Sequence, residues 1–201
     1  MERPQMPAMD TFASAHGTRA SAVNRWVLQL GAVLLGSTLL WASAKVQVPF
    51  WPVPMTMQTY VVLSVGALFG WRLGAMTILA YIAEGALGLP VFAGSPASGV
   101  GLAYLAGPTG GYLAGYVVAV VLVGLLAENG WDRSLPQTAL AVLAGEMAIL
   151  GMGCAWLAAQ MGWQKALAFG LGPFLFGDAA KMAFATVTIS YGKHMRSILR
   201  R

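Results

Sequence analysis

The chain has 201 residues, of which 58% are hydrophobic and only 9% are charged, and its formal net charge is +5. Soluble globular domains carry about 25% charged residues, so this composition excludes that class and indicates an all-α integral membrane protein. At about 20 residues for each crossing, the length allows about six membrane-spanning helices in one domain.

The first 24 residues are polar and lack the apolar segment of a cleaved signal peptide. We therefore expect residues 1–24 to form a polar cytoplasmic tail and residues 25–201 to form the membrane domain. The single cysteine, Cys154, lies in an apolar run, which excludes an intrachain disulfide and a cysteine-based metal site. We predict neither a metal nor a cofactor.

The first predicted span covers residues 26–44, which contain no charge. Within it, Ala32 and Gly36 are small residues four positions apart, a spacing that lets two membrane helices approach closely. Packing inside the domain and docking on another membrane protein explain this pair equally well.

An aromatic segment with three prolines follows at residues 46–54. The prolines exclude continuous helix and favour an extended loop. Such an apolar loop either lies at the membrane interface or folds inward as a lid over a pocket. The second span is predicted to begin at residues 55–56, to carry Gln58 and Tyr60 in its first turns and to end near Gly70.

The third span is predicted at residues 73–87, with Glu84 near its end. A glutamate there either belongs to a site or reaches the interface. Residues 88–107 are uncharged, rich in Gly and Pro, too broken to span and too apolar to be disordered. We expect them to form a second lid or a re-entrant loop, which needs protein or a cavity to cover it at membrane depth.

A glycine-rich motif at residues 107–115 opens the fourth predicted span, which ends near Ala127. Thr109 is a candidate helix cap, since threonine side chains accept hydrogen bonds from the first backbone N–H groups of a helix. Gly111 and Gly115 are four residues apart and predict close contact with another helix.

The fifth span is predicted at residues 137–161 and places Glu146 inside the membrane, and the sixth begins near Pro173 and carries Asp178 and Lys181. Residues three apart on a helix share a face. Because each charge at bilayer depth costs roughly 2.5–3.5 kcal/mol, the pair predicts an interior functional site. The alternative is an ion pair that only fixes this helix to its neighbours.

Lysine and arginine are unevenly distributed between the ends of the predicted spans. With a cytoplasmic tail, nine fall inside and two, Lys45 and Lys165, fall outside, while Lys181 lies within a span. This positive-inside pattern predicts six spans with both termini cytoplasmic. Both lids, Gln58 and the Asp178/Lys181 pair then meet at the outer face. They suit a small amphipathic molecule with a urea-like or amide-like head and an acid tail.

Four segments carry a resemblance to a known family: VPFWPVPMTMQ at 48–58, GLPVFAG at 88–94, GPTGGY at 107–112 and FGDAAK at 176–181. In this order they resemble BioY, the biotin-specific substrate-binding (S) component of energy-coupling factor (ECF) transporters. The resemblance implies a six-helix bundle in a bacterial inner membrane, with lid loops on the extracytoplasmic side. It also implies high-affinity biotin capture from outside, with a transmembrane coupling protein and two cytoplasmic ABC-type ATPases as partners.

The resemblance also assigns site residues. Asp178 and Lys181 match the family's acidic and basic pocket positions, and Ala32 and Gly36 resemble its docking face for the coupling protein. The predicted substrate-binding residues are Gln58, Tyr60, Glu84, Phe92, Gly94, Ser95, Gly111, Tyr112, Asp178 and Lys181.

Other functions remain open on the sequence alone. An S component for another small vitamin or a biotin precursor fits the same pocket. A membrane enzyme would use Glu84, Glu146 or Asp178, but the chain lacks H-E-x-x-H and G-x-S-x-G motifs. A structural subunit leaves the lids and the ion pair unexplained, and a homo-oligomer is also open. No G-x-x-x-x-G-K-S/T is present, so we expect partner subunits to hydrolyse ATP.

Overall fold

Apolar runs in a membrane form helices because a helix satisfies its own backbone hydrogen bonds. The computed structural model describes residues 10–94 and 100–199, and their side chains over residues 26–94 and 100–192. The helices of this part are α1 (Asp10–Lys45), α2 (Gln58–Phe69), α3 (Trp71–Ala86), α4 (Leu102–Ala106), α5 (Gly110–Glu128), α6 (Leu135–Met161), α7 (Trp163–Gly170) and α8 (Phe174–Leu199). Two short strands, β1 (Gln47–Val48) and β2 (Met55–Thr56), pair antiparallel.

The prediction of an all-α fold is confirmed by this architecture, in which the two short strands are the only non-helical elements of the described residues. Three stretches of the described chain are long and apolar enough to cross a membrane: Trp26–Lys45, Gly110–Glu128 and Leu135–Met161. Helices α2 and α3 have 12 and 16 residues, fewer than the roughly 20 of a full crossing. The helix that contains the first span begins at Asp10, so residues 10–24 of the predicted tail are helical and continuous with the span.

Two predicted boundaries differ from the structure. Met55 and Thr56 were predicted to start the second span, but they form β2, because their backbone pairs with Val48 and Gln47 across the proline-rich turn. Helix α2 therefore begins at Gln58. The predicted loop between the fifth and sixth spans contains α7, which is separated from α6 by Gly162 at a φ of 85°.

Glycines set the closest helix contacts. A Cβ on Gly115 of α5 would lie 2.8 Å from Ile149 Cα of α6, so the two backbones touch there. Gly70 connects α2 to α3 at a φ of 80°, a left-handed conformation that glycine adopts at little cost. Just beyond this turn, a Cβ on Gly74 would lie 3.5 Å from Gly66 Cα, so α2 and α3 fold back on each other.

Candidate functional site

The buried ion pair of α8 lies at the centre of the site. Lys181 Nζ donates to Asp178 Oδ1 at 2.7 Å, one helical turn away. Asp178 is only 2% exposed and Lys181 only 5%. Removing two charges from water costs several kcal/mol of desolvation free energy for each ion, and their mutual attraction has to offset this. Apolar side chains would fill the same space without that cost, so packing alone does not explain the pair.

The pair borders an inner cavity of about 30 Å³, which is room for one or two water molecules. Helices α2, α5, α6 and α8 form its walls, and the two lids cover it. The cavity is lined by Val53, Pro54, Thr56, Gln58, Thr59, Phe92, Ala93, Tyr104, Thr109, Tyr112, Leu113, Tyr116, Ile149, Leu150, Phe174, Asp178 and Lys181. Its wall is therefore largely apolar and aromatic, with few polar groups, as small-molecule sites usually are.

A larger outer cavity of about 480 Å³, here called the vestibule, adjoins the inner one. The vestibule is lined by Trp51, Pro52, Pro54, Ala93, Tyr104, Pro108, Thr109 and Met161. The two cavities share Pro54, Ala93, Tyr104 and Thr109 as lining residues. The vestibule therefore adjoins the inner cavity along the lids, and the ion pair borders the inner cavity alone.

The described part of the second lid, residues 88–94 and 100–107, is bound by a lysine at the end of α1. Lys45 Nζ donates to the carbonyl oxygens of Pro90 and Phe92, both at 2.9 Å. The first lid, the proline-rich segment at residues 46–54, contributes Gln47, whose Oε1 accepts from Gly94 N at 3.2 Å. The lids are thus fastened to each other and to α1.

A second set of hydrogen bonds connects Thr56, which follows the first lid, to α2, α3 and the second lid. Thr56 Oγ1 donates to Gln58 Oε1 at 3.2 Å, and Gln58 Nε2 donates to Tyr81 Oη at 2.7 Å. Tyr81 Oη in turn donates to Val91 O at 2.9 Å. Gln58 lines the cavity and keeps one N–H that none of these bonds uses.

Aromatic rings form the boundary between cavity and lid. Phe92 stacks on Tyr104, with ring centroids 4.7 Å apart, and meets the Tyr81 ring edge-on at 5.6 Å. Tyr112 donates its hydroxyl to Gly170 O at 2.7 Å and stacks on Phe174. Burial raises the pKa of the Tyr104 phenol, so this lid tyrosine is neutral at physiological pH.

Of the residues predicted to bind substrate, five line the inner cavity: Gln58, Phe92, Tyr112, Asp178 and Lys181. Four others lie behind its wall or in the lid. Tyr60 Oη shares a hydrogen bond with Thr188 Oγ1 at 3.1 Å. Glu84 accepts from Ser37 Oγ at 2.5 Å, between α3 and α1. Gly94 is the lid residue that bonds to Gln47, and Gly111 packs against Trp156. Ser95 lies outside the described residues.

Ala32 and Gly36, the small-residue pair of α1, differ in their exposure to solvent. Gly36 is buried, and a Cβ there would lie 2.5 Å from Thr77 Cγ2 of α3. Ala32 is half-buried. The close approach at Gly36 is therefore to α3 of the same chain, which favours packing inside the domain for this glycine.

The sequence-based site left out several lining residues, chiefly Thr56, Thr59, Tyr104, Tyr116 and Thr109. Thr109 was interpreted as a helix cap, but its hydroxyl forms no capping hydrogen bond, and its side chain borders both cavities. The tyrosines and threonines of these segments were the only indication in the sequence that they line a cavity. Such residues also occur in ordinary helix packing, so they do not by themselves predict a cavity wall.

These features define a helical membrane protein that encloses a small cavity and a buried ion pair beneath two loops. The chain belongs to the BioY family, whose model matches residues 14–198.

Named relatives agree with this assignment. The probable biotin transporter BioY of Pyrococcus horikoshii is 38% identical over 159 residues, which cover 79% of this chain and 92% of that protein. The biotin transporter BioY of Thermotoga maritima is 32% identical over 152 residues, covering 75% of this chain and 87% of that protein. The crystal structure of the S component for biotin from an ECF-type ABC transporter superposes with a TM-score of 0.74, over 85% of this chain and 93% of that one. At 24% identity, this likeness shows the fold.

Proposed function

We propose that this protein captures biotin from the extracytoplasmic side and takes it across the membrane as the S component of an ECF transporter. The observation that carries the proposal is the Asp178–Lys181 pair, buried in a cavity beneath two lids, in a chain of the BioY family. Relatives that match most of the chain are named biotin transporters, which supports the choice of ligand.

The chemistry of biotin fits the arrangement of polar groups. Its cyclic urea offers two N–H donors and one carbonyl acceptor, and its tail ends in a carboxylate. Asp178 would accept from the urea N–H groups, and Lys181 and the unused N–H of Gln58 would donate to oxygen. Phe92 and Tyr112 would contact the ring system after the inner cavity, which in this structure has room only for water, widens to admit it. The tail would extend toward the vestibule, and Ser95, which lies outside the described residues, stays a predicted ligand contact.

The remaining predicted residues would act at a distance from the ligand. Tyr60 and Gly111 would hold the helices that form the wall, Gly94 would hold the lid, and Glu84 would fix α3 to α1 through Ser37.

The proposed setting is a bacterial inner membrane crossed six times, with both termini in the cytoplasm. In this topology α2 and α3 would be the two short spans, and α8 would be the sixth. A transmembrane coupling protein and two cytoplasmic ATPases would supply the energy, and Ala32 at the half-buried edge of α1 would face the coupling protein.

Calorimetric titration of the purified protein with biotin tests the proposal directly. Tight binding is expected, together with a rise in apparent unfolding temperature, because a ligand that binds only the native state stabilises it by RT ln(1 + [L]/Kd). A biotin precursor without the sulphur ring serves as the competing ligand. Preference for the precursor would reassign the substrate, and a folded protein that gains no stability from either ligand would contradict ligand capture.

The fastening of the lid by Lys45 leads to a kinetic prediction. Lys45→Met removes two hydrogen bonds from a charged donor to lid carbonyls, so biotin should dissociate about tenfold faster, with little change in association. Release of radiolabelled biotin into excess unlabelled ligand measures this rate. Lys165→Met is the matched control, since Lys165 is exposed on α7. Equal release rates for the two variants would show that Lys45 does not hold the lid.

A further inference from the structure

A buried glutamate on α6 takes part in none of the hydrogen bonds around the ion pair. Glu146 of α6 is 1% exposed, and neither of its carboxyl oxygens has a hydrogen-bond partner. Asp178 Oδ2 also lacks a partner. Three carboxyl oxygens are therefore buried without a donor, whereas buried polar atoms almost always have one.

The charged groups that face Glu146 come from α8. They are the carboxyl group of Asp178 and the ammonium group of Lys181, whose charges both act on Glu146. From α5, the titratable group that faces it is Tyr116. Helix α2 also packs on α6 but carries no charged residue, and its Tyr60 bonds to Thr188. On α7, Lys165 is exposed to solvent.

The charges of this cluster balance only if it holds one proton. Lys181 Nζ is already engaged by Asp178 Oδ1. If both carboxyl groups were ionised, two like charges would adjoin in a buried site with a single cation, and Glu146 would have no donor. One proton on Glu146, donated to Asp178 Oδ2, satisfies two of the three orphaned oxygens and makes the cluster neutral.

We propose that Glu146 is a neutral carboxylic acid that donates its proton to Asp178 Oδ2, and that it thereby positions the ligand-binding carboxylate. Asp178 is then held at both oxygens, by Lys181 on one side and by Glu146 on the other. Asp178 lines the cavity, so its remaining lone pairs can accept from the N–H donors of a ligand there. Glu146 does not itself line the cavity, so it is a positioning residue.

The consequence for biotin rests on the proposed function. A neutral cluster accepts a ligand that brings its own carboxylate, whereas a cluster with a net negative charge would repel it. Loss of the Glu146 proton at alkaline pH should therefore weaken biotin binding. An amide at this position keeps an N–H donor for Asp178 and cannot ionise, so it should remove that pH dependence.

Infrared spectroscopy of the ligand-free protein tests the protonation state without biotin. The wild type should show the carbonyl stretch of a protonated carboxylic acid, which shifts in D₂O, and Glu146→Gln should remove that band. Glu128→Gln is the matched control, since Glu128 is exposed and bonds only to Trp71 N among the contacts described. Identical spectra for the wild type and Glu146→Gln would overturn the inference.

Biotin titration across neutral and alkaline pH supplies the second readout. Glu146→Gln should bind within about threefold of the wild type at neutral pH and should lack the alkaline weakening, while Glu146→Ala should bind at least about tenfold more weakly. Glu128→Gln should follow the wild type throughout. A folded Glu146→Gln variant that loses tenfold at neutral pH would contradict the inference. If the wild type bound no biotin, the proposed function would fail, and the infrared band would still decide the state of Glu146.

Discussion

Replacing Lys181 by Met is expected to abolish measurable biotin binding and to lower the stability of the protein. The substitution keeps the length of the apolar stem but leaves Asp178 without its cation at a position only 2% exposed. Removing one partner of a buried ion pair typically costs about 3–5 kcal/mol. Asp178→Asn keeps the shape of the side chain but loses the charged acceptor, and we expect it to weaken binding by about 100-fold or more.

The double variant distinguishes a ligand site from a structural ion pair. Asp178→Asn combined with Lys181→Met removes both charges, so unfolding temperature should recover toward the wild-type value while biotin binding stays lost. Calorimetry and thermal unfolding in the same detergent measure both properties, and Lys165→Met serves as the surface control. Wild-type affinity in the folded double variant would show that the pair serves structure alone.

The pairing of Asp178 with Lys181 could be predicted because it depends only on helix geometry. Residues three apart share a face wherever the helix lies, and the structure places their charged atoms in contact. The start of α2 could not be predicted in the same way. It depends on the pairing of Met55 and Val48 across a turn, and the register of such a pairing is set by both strands together.

The two glutamates of the predicted spans show where sequence reasoning ends. Glu84 and Glu146 both lie in apolar helices, and each could belong to a site or pack elsewhere. Which helix packs against each glutamate determines whether that glutamate lies near the site. Glu84 accepts a hydrogen bond from the Ser37 hydroxyl of α1, whereas Glu146 is buried without a hydrogen-bond partner and is influenced by the charges of Asp178 and Lys181 on α8. That difference arises from tertiary packing, which no local pattern encodes.

Two glycines should respond to the same substitution in opposite directions. A Cβ on Gly111 would lie 2.7 Å from Met152 O and closer still to Trp156 Cβ, so Gly111→Ala must push α5 and α6 apart. Overpacking of this kind costs about 1–3 kcal/mol, and the backbone contact places this site at the upper end. The apparent unfolding temperature should fall by several degrees. Biotin binding should weaken with it, because the next residue, Tyr112, lines the cavity.

Gly151→Ala is the matched control, on α6 and with no atom within 4 Å of the added methyl group. Alanine favours a helix over glycine by up to about 1 kcal/mol, so this variant should be as stable as the wild type or slightly more stable. Thermal unfolding and biotin titration of both variants measure the contrast. A Gly111→Ala protein that unfolds at the same temperature as Gly151→Ala would mean that α5 and α6 do not pack as closely as Gly111 requires, and that the cavity wall does not depend on their contact.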